Sequence, residues 1–126
     1  MSLLRRRSER GAAVVDIVLV LVVLVPVVLG IMQVALVLLV RNTLASAASE
    51  GARLAATRDR GPADGAALTR AQIAGAVSGR FAQDVSAQQA GDTVAVTVHA
   101  RIPALGLGGP ALELTVTGHA VEEPAP

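Results

Sequence analysis

Hydrophobic and polar positions divide the chain into three regimes. From Gly11 to Val40 (GAAVVDIVLVLVVLVPVVLGIMQVALVLLV) the pattern is continuous rather than periodic, and from Ile17 to Val40 it carries no charge. Interruptions are single residues, Pro26, Gly30 and Gln33. As a helix, Ile17–Val40 would be ~36 Å long, enough for the ~30 Å hydrocarbon core of a bilayer. It is too long for a strand and too large for the rest of the chain to cover. The pattern therefore predicts a membrane span at about 17–40.

Beyond Val40 the sequence RNTLASAASEGARLAATRDR is rich in Ala and free of Pro, and predicts that the helix continues from Ala12 to about Arg58. Small residues recur along it at four-residue spacing: Ala48, Ala52 and Ala56, with Ala47, Gly51 and Ala55 beside them. Small faces let helix backbones approach closely. Since Gly51 costs ~1 kcal/mol relative to Ala inside a helix, a packing face through Ala48, Gly51, Ala52 and Ala55 is favoured over bare helix propensity. Gly61–Pro62 and Ala63–Asp64–Gly65 read as turn. Ala66 to about Gln88 reads as a second helix with one apolar stripe, Ile73, Val77 and Phe81.

After a break at Ala90–Gly91–Asp92 the period changes to two. In TVAVTVHARI, Val94, Val96, Val98, Ala100 and Ile102 share one face; in LELTVTGHAV, Leu112, Leu114, Val116 and Ala120 do. Pairing Ile102 with Leu112 sets Arg101 opposite Glu113, Thr97 opposite Thr117 and Val98 opposite Val116. Each such pair contributes ~0.2–1 kcal/mol. The fold class is α+β: a long N-terminal helix, then a small domain of one helix and a C-terminal antiparallel β-hairpin. The divisions are a basic leader at 1–11, the long helix at 12–58 and an exterior domain at 59–126. The hairpin needs cover, which the second helix supplies, and the tail VEEPAP should fray.

Composition narrows function by exclusion. There is no Cys, Trp or Tyr and a single Phe, so disulfides, thiolate metal sites and thiol catalysis are out, and a core of Ala, Val and Leu buries little area per residue. The net charge of +1 conceals an asymmetry, with Arg5, Arg6, Arg7 and Arg10 ahead of the span against Arg41 just beyond it. By the positive-inside rule that cluster stays cytoplasmic and the C-terminal part lies outside. A short basic cluster without aromatic stacking groups does not point to nucleic acid. His99 and His119 fall ~13 Å apart in the hairpin register, too far to share a metal. Gly106–Ala111 imitates a dinucleotide fingerprint but leads into a strand through Pro110, not into a helix. No serine, threonine or acid has a recognisable catalytic partner. The residues point to no enzyme, no cofactor and no small-molecule substrate.

One residue in the apolar edge needs explanation. Asp16 stands five residues after Gly11, and an acid at the centre of a span costs ~2.5–3.5 kcal/mol, less near its end. Basic residues, a glycine, four small or apolar residues, an acid and then a span resemble the processing site of type IV prepilins. That resemblance implies a peptidase cut between Gly11 and Ala12 on the cytoplasmic side, with the helix retained and Asp16 as the fifth mature residue. The new ammonium could then pair with the carboxylate, at ~4 kcal/mol for about 4 Å and an effective dielectric near 20, before desolvation.

More narrowly, RGAAVVD at Arg10–Asp16, the apolar run reaching Gly30, and SEGARLAA at Ser49–Ala56 are similar to the TadE-like family of minor pilins of tight-adherence (Flp/Tad) pili. Asp16 stands where that family has Glu, Ile17 where it has an aromatic, Val22 where it has Pro, and Gln33 where it often has an acid. The resemblance implies a minor pilin or pseudopilin in the cell membrane whose partners are a prepilin peptidase and other pilins, with a role in adhesion or secretion. Three rivals stay open: an uncleaved single-span accessory protein, a secreted binding protein released after Ala45–Ser46–Ala47, and an envelope hydrolase with no nominated residues.

Overall fold

In the computed structural model, residues 2–77, 82–104 and 109–124 are described. Helix α1 runs Ser2–Ala55, α2 Pro62–Ala76, and three strands follow: β1 Ala82–Ala90, β2 Thr93–Ile102 and β3 Leu112–Val121. The sheet is an antiparallel meander in the order β1-β2-β3. The α+β architecture stands as expected, and the β2/β3 register is the one read from the sequence, Ile102↔Leu112 through Thr93↔Val121.

Two local readings change. Ala63–Asp64–Gly65 is not turn but the first turn of α2, because Pro62 occupies the first helical position and the Asp64 carboxylate accepts the Gly61 N–H at 3.0 Å. The second helix also stops at Ala76, with Val77 extended, instead of running to Gln88. Residues 82–90 form a third strand, so the hairpin is one half of a three-stranded sheet. Val85 and Ala87 face inward opposite Val98 and Val96, while Asp84 and Ser86 sit opposite His99 and Thr97. The alternation is written in Ala and Gln, which are good helix formers, and local propensity masked it. Phe81, assigned to the helical stripe, lies outside the described residues. Of the other two, Ile73 is buried in the core and Val77 packs against it.

The main cover of the sheet is α1. From Val40 onward it turns one face inward, so that Val40, Leu44, Ala47, Ala48 and Ala52 share a core with Ile73, Val85, Val96, Val98, Ala100 and Ile102. Each fully buried Leu or Ile contributes about 1.5–3 kcal/mol. The tail is tied down as far as Glu123, whose N–H donates to Ala56 O at 3.2 Å, while Gln89 Nε2 donates to the Glu122 carboxylate at 2.7 Å. A two-residue turn joins β1 to β2 with Gly91 at φ 64, a conformation glycine adopts without a Cβ penalty.

One glycine sets the distance between sheet and helix. A Cβ on Gly118 would lie 2.5 Å from Ala48 C and Ser49 N and 2.7 Å from Ala48 O, all of them helix backbone. Gly118→Ala is expected to cost about 1–3 kcal/mol through overpacking. Gly75→Ala, whose Cβ meets open space, should not lower stability. Denaturant midpoints of the full chain in detergent check the pair.

Candidate processing and assembly segment

The residues singled out in the sequence all lie on α1, in two groups. Arg6, Arg7, Arg10, Gly11, Ala12 and Asp16 occupy its N-terminal part and are exposed. The side chain of Arg5 lies outside what is described. A Cβ at Gly11 would meet nothing within 4 Å, so nothing packs against the helix on that side. Ala12 and Asp16 are one helical turn apart and therefore share a face. Among the described residues Asp16 has no ion pair and no hydrogen bond.

Above Asp16 the helix is apolar around its whole circumference. Ile17, Leu19, Val20, Val22 and Val23 are all about as exposed as Leu21, Leu24 and Val25, and no face is turned inward. A helix that is hydrophobic all round needs an apolar surrounding on every side. It is the one candidate span among the described residues, by length and composition. The helix continues through Pro26 without a break. A proline in such a segment is tolerated where other groups satisfy the freed carbonyl.

The second group sits in the upper part of the helix and faces two ways. Ala48 and Ala52 belong to the core under the sheet, with Ala48 against Gly118. Gly51 and Ala55 face α2: a Cβ on Gly51 would lie 2.6 Å from Gly65 O, and one on Gly65 would lie 2.7 Å from the Ala55 Cβ. Thr69 completes the contact. Its hydroxyl, fully buried, is shared between Gly65 O at 2.9 Å and Ala47 O at 3.1 Å, which ties α2 to α1 across the close approach. Sequence reasoning missed Gly65 and Thr69. Their four-residue spacing on the second helix matches that of Gly51 and Ala55 on the first, and that was the available signal.

The outer face of the sheet is polar and cross-linked in pairs. Thr97 and Thr117 hydroxyls are 3.2 Å apart, His99 Nδ1 is 3.0 Å from Thr115 Oγ1, and Arg101 Nη2 donates to Glu113 at 3.1 Å. These groups are spent on each other and are exposed. Gln72 Nε2 donates to the Glu50 carboxylate beside a shallow open groove between α1 and α2 lined also by Asn42, Thr43 and Ser46. Among the described residues no three His, Cys, Asp or Glu side chains converge as a metal site would require.

Neither the curated proteins nor the solved structures contain a match to this chain. A protein-family model does match, that of TadE-like protein, over residues 11–53. The matched segment takes in Gly11, Asp16, the all-round apolar helix and the SEGAR part of the second block. The resemblance drawn from those two blocks therefore stands: over residues 11–53, about a third of its length, this chain matches the TadE-like protein family.

Proposed function

We propose that the chain is a minor pilin or pseudopilin of a Tad/Flp-type pilus, made as a precursor, cut after Gly11 and assembled through its N-terminal helix. The observation that carries this reading is a family match that opens at Gly11, directly behind the basic cluster, and extends through the helix. The leader 1–11 stays cytoplasmic, α1 from Ala12 onward crosses the inner membrane, and 59–126 is the exterior domain. Arg5, Arg6, Arg7 and Arg10 set that orientation. The protein acts by assembly rather than catalysis, and its partners are a prepilin peptidase and other pilins of the same machine.

The physical role of the cut is charge compensation. Proteolysis exposes an ammonium at Ala12, one turn from Asp16, on the same subunit or a neighbour's. An acid otherwise without a partner then enters the membrane edge as half of an ion pair. Asp is one methylene shorter than Glu, so the pairing demands a closer approach of the two groups.

Replacing Gly11 with leucine is expected to block processing, leaving Met1 as the N-terminus in intact-mass measurements from the native cell. Mature protein starting at Ala12 in that variant would move the cut elsewhere. Asp16→Ala should be cut normally yet reduce pilus abundance several-fold in sheared-fibre preparations. Wild-type fibre yield from that variant would remove the pairing role. The rival reading, an uncleaved single-span accessory protein, is distinguished by the wild type itself: an N-terminus at Met1 in the presence of the peptidase selects it.

A further inference from the structure

The sheet is mounted on α1 at a height that can be read from two contacts. At its far end Glu123 N–H donates to Ala56 O, and at its near end Gln33 Nε2 donates to Pro103 O at 3.4 Å. The β2–β3 end of the sheet thus sits level with Gln33, about seven residues or ~10 Å below Val40. On the side of the helix away from the sheet, the apolar surface continues past that level. Val34, Leu38 and Leu39 are 60%, 51% and 59% exposed, and the first charge is Arg41. A bilayer that covers those residues meets the sheet end at the same depth on the other side.

The sheet end has the chemistry for that position. Among the described residues of that end, Pro103, Ala104, Gly109, Pro110, Ala111 and Leu112, none is charged. Pro103, Ala104, Gly109 and Pro110 are exposed, and Leu112, at the start of β3, is 48% exposed. The nearest charges, Arg101 and Glu113, neutralise each other at 3.1 Å. Pro103 and Pro110 bring no N–H donor, which lowers the cost of placing irregular backbone in a poorly hydrated layer. The opposite end of the domain is different: Asp92, Glu122 and Glu123 meet there, with the Glu122 N–H on Asp92 O and the Glu123 N–H on Ala56 O. Arg58, Asp59 and Arg60 follow directly after Ala56 and Thr57.

We propose that the β2–β3 end of the sheet is a second membrane contact, seated in the headgroup–acyl boundary of the leaflet on the domain's side and continuous with the span. The transbilayer part of α1 then faces lipid all round up to about Val28. From Gln33 to Leu39 it faces lipid on one side and its own sheet on the other. Helix and sheet end enter as one rigid unit, which limits the tilt of the domain over the bilayer. This rests on the reading of α1 as a membrane span, and the test separates the two.

The chain has no cysteine, so single labels are clean. Ala104→Cys, Leu112→Cys, Gly91→Cys at the far end and Leu24→Cys in the span are each labelled with an environment-sensitive fluorophore. The full chain is reconstituted at high dilution into phosphatidylethanolamine–phosphatidylglycerol vesicles. Labels at 104 and 112 are expected to emit blue-shifted from that at 91, to be quenched by lipids brominated on the acyl chain, and to resist aqueous iodide. Iodide quenching at 104 and 112 equal to that at 91, with 24 still quenched by bromine, overturns the second contact and leaves the span. Loss of bromine quenching at 24 overturns both. Shielding of 104 and 112 that disappears on further dilution in lipid assigns the cover to a neighbouring protein and also overturns it.

Discussion

The exterior domain depends on backbone brought against backbone. Gly118 lets β3 lie on α1 at Ala48, and Gly51 with Gly65 lets α2 lie on α1, so one helix is in close contact with a sheet on one side and a helix on the other. With few large side chains available, shortening the distance between elements is the remaining way to exclude water from a small core. Dispersion contacts fall off steeply with separation, so a gap of half an ångström forfeits much of what small residues supply. Thr69 adds the hydrogen bond that such an approach requires when a polar group is trapped inside it.

The same helix is solvated in two ways along its length. From Ile17 to Val28 it is apolar and exposed on every face; above Val40 it presents one buried face to the sheet and α2 and one polar face to water. Between those points the two patterns overlap. Leu36 and Val37 pack against the domain while Val34, Leu38 and Leu39 face outward. A stiff rod that links membrane and domain without an intervening flexible linker transmits position directly. On the function proposed above, that property suits a subunit handed from a bilayer into an assembly, where lipid around the apolar half would be exchanged for neighbouring helices.

Asp16 and the sheet end are the two places where simple partition rules are strained, and they lie at opposite edges of the apolar segment. At one edge a charge sits where the surroundings are turning apolar. At the other an uncharged, proline-flanked sheet end sits where the surroundings are turning polar. On the proposed reading the first is met by the ammonium that cleavage exposes and the second by contact with the leaflet, and the outer face of the sheet offers only mutually satisfied pairs.

Much of this was legible in the chain alone. The uncharged run from Ile17 to Val40, the strict alternation in β2 and β3 and their register, and the two blocks that resemble TadE-like proteins all follow from local pattern. A period of two and complementary cross-strand pairs leave little freedom in how two adjacent strands meet. Tertiary structure alone decided that α1 would cover the sheet, that Gly118 and Thr69 would be the contacts holding it there, and that residues 82–90 would pair with β2. Ala and Gln favour helix over strand locally; the free edge of β2 and the open flank of the core overrode that preference. The level of the sheet end at Gln33 was likewise invisible in sequence, because it depends on a contact between residues seventy positions apart.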